Sequence, residues 1–359
     1  MKGYQFEDTQ GTFHLKKAEN ISYLYFPIAG EAGLKSSFTP NLGGDAKIDQ
    51  NTFLLEPVSA ENLVNNRNSR NFWCNVKGIG SWSLTGHSAE ELSKKFTEMQ
   101  DDSEVTAGFM WQKTTRESKK YQLRGEILSF IPVDKNVEIM LVTITNTGRM
   151  AQTVTPTAAI PLYGRSADNI RDHRHVTSLL HRIETTDTGV LVTPTLSFDE
   201  RGHQVNHMTY YCVGWSGNGE KPVDFYPTAE DFVGEGGNFE RPYAIVKKCR
   251  GVKAGTKIEG LEAVGGLHFS EITLEPEEEC SYLIFTGITE DIQEIRNLSK
   301  TYTTREKVLE ELEKTKAYWQ EKVNVSLSYR RFRFQPVYVL GKLSANSASY
   351  LWLFLPSAS

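Results

Sequence analysis

The sequence predicts a mainly β fold, a large antiparallel sandwich followed by a linker α-helix and an irregular C-terminal tail. About a dozen short segments rich in β-branched and aromatic residues are separated by Gly, Pro, Asn and Asp turn signals. Sustained helical periodicity begins only after residue 303, and the residues from 326 onward match neither pattern. We therefore divide the chain into a β-sandwich at 1–300, a linker helix at 301–325 and an aberrant tail at 326–359.

The strand prediction is clearest in the middle of the chain, where apolar and polar residues partly alternate. Such segments include Tyr121–Phe130, Val137–Thr145, Gln152–Ile160, Thr209–Trp215 and Ser281–Ile288. Because turn signals recur at short intervals between them, the segments favour antiparallel neighbours over crossover units.

One short helix is predicted inside the sandwich, over Ser88–Met99. Ser88 is a suitable N-cap, and Glu90 and Glu91 fall in the first turn, where carboxylates interact well with the helix dipole. Leu92 and Phe96 lie four residues apart and so share one helix face.

The linker helix is predicted over about 304–322. Thr303–Glu306 has the sequence of a capping box. The apolar residues that follow recur at helical spacing, with Glu and Lys on the opposite face, and are Val308, Leu312, Trp319 and Val323. An amphipathic helix after a closed sandwich implies a surface against which it docks.

Composition limits the function classes. The 359 residues are 39% hydrophobic, which is enough for a packed core, and carry a net charge of −5, which argues against a non-specific nucleic-acid binder. No run of 18 apolar residues and no signal-peptide core occurs, so neither a membrane span nor secretion is predicted. The four cysteines lack Cys-x-x-Cys spacing and read as reduced, mostly buried thiols, so we expect a cytoplasmic location.

A polar array at residues 165–182 is the principal candidate site. Three of the eight histidines fall within nine residues there, beside Arg, Asp and Asn side chains with directional hydrogen-bonding geometry. Such groups suit a ligand rich in hydroxyl or phosphate oxygens, although an Arg–Asp network that braces a sandwich edge is an equal alternative for any single residue. The candidate ligand-binding residues of the array are Arg165, Asp168, Arg171, Asp172 and His175.

A second candidate segment precedes the array in sequence. In Asn65–Trp73, Asn and Arg side chains stand beside Phe and Trp, a composition suited to sugar contacts, because an aromatic face stacks on a sugar ring while amides or guanidinium groups bind its hydroxyls. Arg70 and Trp73 are its candidates. For Trp73 alone, a core tryptophan beside a polar loop is the favoured interpretation.

Acid–base catalysis and metal binding are less well supported by the sequence. Asp168/Asp172 and Asp199/Glu200 could be catalytic carboxylate pairs, but neighbouring Arg residues would lower the pKa of an acid that needs a raised one. His173-x-His175 could bind a metal, but a third ligand is not apparent and Arg174 disfavours a cation. We therefore assign no catalytic residue, no metal site and no resident cofactor.

Several segments together resemble glycoside hydrolase family 94, the family of cellobiose phosphorylase and related inverting glycoside phosphorylases, with 1,2-β-oligoglucan phosphorylases as the most similar branch. The resemblance covers about residues 20–325. The segments that carry it are Tyr25–Gly33, Gly44–Asn51, Ser69–Trp73, Tyr163–His175 and Ser197–His203.

The resemblance implies a β-supersandwich of galactose mutarotase type that precedes linker helices and a catalytic (α/α)6 barrel. It implies homodimerisation, a β-linked gluco-oligosaccharide as substrate and inorganic phosphate as co-substrate. Phosphate would attack the anomeric carbon, with inversion, to give a sugar 1-phosphate. By analogy, Arg165, Asp168, Arg171, Asp172 and His175 would edge the sugar subsites, and the general-acid aspartate would belong to the barrel.

The end of the chain departs from the family. Residues 326–359 contain no Asp or Glu, although the chain has 45 of them. We expect an altered reading frame near residue 327 or a truncation, and therefore a chain that is inactive alone. The alternatives are a free-standing carbohydrate-binding module and a mutarotase-like or lyase-like enzyme with its own acid and base among His173, His175 and Asp199.

Overall fold

The computed structural model describes residues 4–21, 24–58, 69–199 and 202–328. Its strands are β1 Tyr4–Phe6, β2 Phe13–Lys16, β3 Phe26–Ala29, β4 Lys35–Phe38, β5 Ala46–Asp49, β6 Thr52–Leu55, β7 Asn71–Val76, β8 Gly80–Ser83, β9 Asp102–Gly108, β10 Trp111–Ser118, β11 Leu123–Phe130, β12 Val137–Asn146, β13 Gln152–Leu162, β14 Arg182–Thr185, β15 Gly189–Val192, β16 Leu196–Asp199, β17 Gly202–Val205, β18 Thr209–Ser216, β19 Asp224–Thr228, β20 Lys257–Glu259, β21 Ala263–His268, β22 Ile272–Leu274 and β23 Glu279–Thr289. Its helices are α1 Ala89–Ser93, α2 Arg174–Ser178, α3 Ala229–Val233, α4 Tyr243–Lys247, α5 Ile292–Thr301 and α6 Arg305–Ser328, with 3-10 turns at Ala18–Asn20 and Ala167–Arg171.

Two large antiparallel sheets form the sandwich, as predicted. The first has eleven strands in the order β1-β2-β9-β10-β11-β12-β23-β18-β15-β14-β20. The second has six strands, in the order β19-β21-β13-β7-β8 with β22 beside β13. A four-stranded sheet, β3-β4-β5-β6, and the β16-β17 hairpin complete the described part of the chain.

The central strand β12 shows why its sequence is a continuous apolar run. Every residue of β12 is buried. Alternate side chains point to opposite faces of a strand, so Met140 and Val142 enter the core between the sheets while Ile139 and Leu141 enter a second core on the outer face. A strand covered on both sides loses the hydrophobic–polar alternation of a surface strand.

Helices α5 and α6 cover that outer face. Ile295 and Leu298 of α5 and Val308 and Leu312 of α6 are buried against residues of β11, β12, β18 and β23. The burial of each such side chain contributes roughly 1.5–3 kcal/mol. The predicted linker helix is therefore present, but α5 was not predicted.

The short predicted helix is only partly confirmed. Ser88 does cap α1, because its side chain accepts a hydrogen bond from Glu91 N at 3.2 Å. The helix ends at Ser93, however, and Phe96 takes a left-handed φ of 66° that no helix can continue through. Leu92 and Phe96 are both exposed, so their spacing does not mark a buried face.

The irregular tail was predicted at 326–359, but α6 continues through Ser328, and residues 329–359 lie outside the described residues. None of the helices in the described ranges is both long and apolar enough to cross a bilayer. Cys74 and Cys212 are buried and Cys249 and Cys280 are half-buried, all four as free thiols.

Candidate functional site

The polar array follows the end of β13 and lies against β6. Gly164, with a φ of 60°, turns the chain, and its N–H donates to the Phe53 carbonyl at 3.1 Å. Phe53 N in turn donates to the Arg165 carbonyl at 3.0 Å. Ala167 N donates to the carbonyl of Gln50 at 2.9 Å. Backbone hydrogen bonds to a strand therefore fix the start of the array.

Arg165 braces the array from inside. Its side chain is 4% exposed and forms a two-pronged ion pair with Glu262, with Nη2–Oε1 at 2.7 Å and Nη1–Oε2 at 3.3 Å. The guanidinium carbon also lies 5.1 Å from the centre of the Tyr163 ring. Because a carboxylate already neutralises this guanidinium, the geometry favours the structural alternative over a direct ligand contact.

His181 is a second internal member of the array. It has no exposed surface, and its Nδ1 lies 3.2 Å from the Leu261 carbonyl, so Nδ1 carries the proton and donates it. Burial, and then the charge of Arg165, lower the pKa of His181 to about 3. The imidazole is therefore neutral at ordinary pH.

Two carboxylates of the array are exposed. Asp168 and Asp172 are exposed, at the beginning and end of the 3-10 turn. The Asn169 side chain donates to Asp172 Oδ2 at 2.8 Å, and Ser166 Oγ hydrogen-bonds the Phe198 carbonyl, which ties the turn to β16. Exposed carboxylates of this kind accept hydrogen bonds from sugar hydroxyls.

The side chains of Arg171 and His175 lie outside the described structure, although their backbones belong to the 3-10 turn and to α2. Their predicted contacts with a ligand therefore stay predictions. His173 is exposed. In the part of the chain that is described, no group of three His, Cys, Asp or Glu side chains is arranged to hold a metal ion.

Arg70 is a structural residue in this geometry. It has no exposed surface, and it pairs with the buried Glu138 through Nε–Oε1 at 2.5 Å and Nη2–Oε2 at 3.1 Å. Its remaining N–H groups face main-chain carbonyls, including Leu42 O at 3.3 Å, and its plane stacks on Phe38 at 3.9 Å. A guanidinium with no exposed surface cannot touch a sugar, so the structure disfavours the predicted sugar contact.

Trp73 is a core residue, the interpretation that the sequence favoured. It is 3% exposed and packs with Tyr226, Phe232 and Ile245, where α3 and α4 cover the outer face of the second sheet. Its indole face is therefore not offered to a ligand.

The second carboxylate pair of the sequence lies on the β16-β17 hairpin. Glu200 and the Asp199 side chain fall outside the described structure. Nearby, the ring of His203 meets that of Phe198 edge-on at 4.3 Å between centroids, on an exposed hairpin. Asp168 and Asp172, the first pair, are both solvated, and neither stands in the apolar setting that a general acid needs.

Sequence reasoning missed Glu262. It is 97 residues from Arg165, in a segment without any recognisable motif. The only available signal was indirect, because a buried arginine requires a carboxylate partner that no neighbouring residue was certain to supply.

The class that this geometry defines is a large antiparallel sandwich with a polar loop braced between β13 and β14. Residues 55–305 match the family described as glycosyl hydrolase 94, supersandwich domain. The chain belongs to this family. No curated protein sequence matches it.

Solved structures resemble the chain only distantly. A bacterial glucoamylase complexed with acarbose aligns at 10% identity with a TM-score of 0.39, over 86% of this chain and 37% of that one. A protein of Escherichia coli K12 described as a candidate aldose 1-epimerase aligns at 9% identity with a TM-score of 0.38, over 74% of this chain and 99% of that one. A polysaccharide lyase gives 9% identity and a TM-score of 0.35, over 77% of this chain and 34% of its own. The chain thus spans little more than a third of the glucoamylase.

Proposed function

We propose that this supersandwich is the carbohydrate-facing, non-catalytic domain of an inverting glycoside phosphorylase that acts on β-linked gluco-oligosaccharides. The family match over residues 55–305 supports a carbohydrate-active enzyme. The phosphorylase activity, the β-glucan substrate and the 1,2-β-oligoglucan branch are our extension of it, as is homodimerisation through this domain.

One observation supports the assignment of sugar binding to this domain and of phosphate binding to another. In the array, Arg165 is neutralised internally by Glu262, whereas Asp168 and Asp172 face solvent. Exposed carboxylates accept hydrogen bonds from hydroxyl groups and repel phosphate. These two positions therefore suit the neutral sugar rather than the phosphate co-substrate, which we assign to another domain of the enzyme.

The proposed reaction follows from this placement. A phosphate oxygen forms a bond to the anomeric carbon as the glycosidic C–O bond breaks, and a general acid of another domain protonates the leaving sugar oxygen. In this reaction the supersandwich only positions the sugar substrate. Orientation of a bound sugar is a real catalytic contribution, because misplacement of a substrate by about 1 Å can slow a reaction by roughly 100-fold.

A phosphorolysis assay tests the proposal. The 359-residue chain is incubated with inorganic phosphate and glucotetraoses of β-1,2 and β-1,4 linkage, and sugar 1-phosphate is measured. We expect none, while calorimetry with the same sugars should show binding at millimolar or tighter affinity. Turnover would contradict the non-catalytic assignment, and the absence of any binding would contradict the carbohydrate-facing one.

A further inference from the structure

A groove of about 800 Å3 lies between the second half of α6 and the turns that join β1 to β2 and β9 to β10. Its volume is within the range of small-molecule sites, roughly 300–1,000 Å3. We call it the linker groove and define it by Gln10, Phe109, Trp111, Lys316 and Gln320.

The linker groove is built from other elements than the polar array. β1, β2, β9 and β10 lie at one end of the eleven-stranded order, whereas the array follows β13 of the second sheet, bonds to β6 and leads into β14. Six positions separate β10 from β14 in that order. The residues that line the groove include none of the array, so a ligand in the groove would occupy a site of its own.

Two aromatic rings of the groove are held by the backbone beneath them. The Trp111 indole lies across Gly108, where a Cβ atom would come within 2.4 Å of Trp111 Nε1. The Phe109 ring lies on Gly11, which has a φ of 93° and whose Cβ position is 3.1 Å from that ring. Both side chains are half-buried. Rings fixed in this way lose little conformational entropy when a ligand stacks on them.

The turn that carries Gly11 is itself fixed. Asp8 Oδ1 accepts hydrogen bonds from Gln10 N at 2.7 Å and from Thr12 N at 3.0 Å. Between the two rings, Met110 holds a left-handed φ of 62°, a conformation that a non-glycine residue adopts only where its surroundings impose it. The rings are therefore preorganised from both turns.

Amide and hydroxyl groups surround the rings. Gln10 and Thr12 line one side, and Gln320 and Asn324 line the other, where Gln320 Nε2 donates to Asn324 Oδ1 at 3.3 Å. An amide offers both a donor and an acceptor, which matches the dual character of a sugar hydroxyl. Aromatic faces together with amides suit a sugar ring, which is apolar on its C–H face and polar at its edge.

The charge of the groove disfavours an anionic ligand. Its lining holds three carboxylates, on Asp8, Glu313 and Glu321, and a single cation, Lys316. Glu313 is already paired with Lys316 at 2.8 Å, and the Lys316 ammonium lies 4.4 Å from the centre of the Trp111 ring. Phosphorylated or nucleic-acid ligands would meet net repulsion there.

The carboxylates of the groove fit binding rather than cleavage. A hydrogen bond from the Thr12 side chain lowers the pKa of Asp8, whereas a general acid requires a raised one.

We propose that the linker groove is a second, non-catalytic binding site for a neutral oligosaccharide, with a sugar ring packed on Phe109 beside Trp111 and hydroxyls bonded by Gln10 and Gln320. The inference goes beyond the function proposed above, because it rests on residues outside the polar array. A chain with two separate sugar sites could hold one long glucan at two points.

Calorimetry of the full 359-residue chain with β-1,2-linked and β-1,4-linked glucotetraose provides the test. Gln320→Ala removes an amide from a half-exposed helix position that tolerates alanine, and Trp111→Phe keeps a smaller ring. We expect each substitution to weaken one class of binding site about tenfold. Lys314→Ala, on α6 but outside the groove, is the matched control and should change nothing.

The outcomes separate the two proposals. Loss of a binding class in Gln320→Ala, with the class removed by Asp168→Asn retained, supports the groove. Binding that responds to Asp168→Asn but not to Gln320→Ala or Trp111→Phe would overturn the groove and keep the array. A chain that binds neither sugar would overturn both. If Trp111→Phe fails to fold, Gln320→Ala decides alone.

Discussion

The polar array and the linker groove differ in how the chain assembles them. The array is contiguous in sequence, and the charge of its Arg165 is neutralised inside the fold by Glu262. The groove joins side chains from around residues 10, 110 and 320, and few of them stand out in the sequence. A dense polar motif in a sequence therefore indicates internal ion pairs more reliably than it indicates which side chains bind a ligand.

The largest expected effect tests whether Arg70 is a structural residue rather than a sugar contact. Arg70→Ala leaves Glu138 charged, buried and unpaired, so we expect the free energy of unfolding to fall by about 3–5 kcal/mol. Urea denaturation followed by circular dichroism measures it. Glu138→Gln in the Arg70→Ala background should recover part of the loss, since it removes the buried charge.

Arg149→Ala is the matched control for Arg70, because Arg149 is exposed on a turn. It should leave the unfolding midpoint unchanged. If Arg70→Ala were as mild as this control, the assignment of Arg70 as an internal brace would be wrong, and its sugar contact would need to be reconsidered.

The next effect concerns pH. The folded pKa of His181 is about 3 and its unfolded pKa is near 6.5, so the unfolded chain binds the proton that the folded chain excludes between those values. Its contribution to stability is complete above pH 6.5 and is lost as pH falls towards 3. The expected slope is up to about 1.4 kcal/mol per pH unit, or about 2 kcal/mol between pH 6.5 and 5.

Unfolding measured across pH 5–7.5 for the parent chain, His181→Gln and His203→Gln isolates this contribution. His181→Gln should flatten the slope, whereas His203→Gln, at an exposed hairpin position, should retain it. Equal slopes in all three proteins would mean that His181 is not kept neutral by the fold.

The smallest effect concerns the exposed half of the array. Asp168→Asn with Asp172→Asn should weaken glucotetraose binding about tenfold, or about 1.4 kcal/mol, because the amide retains only part of the acceptor capacity. Stability should not change, as both side chains are exposed. Unaltered affinity with unaltered stability would remove these two residues from the site.

Local patterns in the sequence were sufficient for the strands, for the cap at Ser88 and for the buried face of α6 at Val308 and Leu312. Each depends on residues within a few positions of one another. Helix α5 was missed although Asp291 caps it, with a side chain that accepts a hydrogen bond from Gln293 N at 2.8 Å. It is only ten residues long and buries just Ile295 and Leu298, so its helical periodicity is short.

The site was harder to predict, because its roles depend on distant partners. Whether Arg70 and Arg165 reach a ligand was decided by Glu138 and Glu262, which are 68 and 97 residues away. The linker groove could not have been predicted at all, since its two sides meet only through the packing of α6 on the sheet. The amino-acid sequence shows which side-chain types are present, and tertiary packing decides which of them remain exposed to a ligand.

Hydrogen–deuterium exchange of the 359-residue chain, with and without β-linked glucotetraose, tests the central claim of two separate sugar-binding sites most directly. We expect added protection in peptides that cover residues 165–182 and 313–324, and none in those that cover α3 and α4. Protection confined to other segments, or no protection anywhere at saturating sugar, would contradict the account.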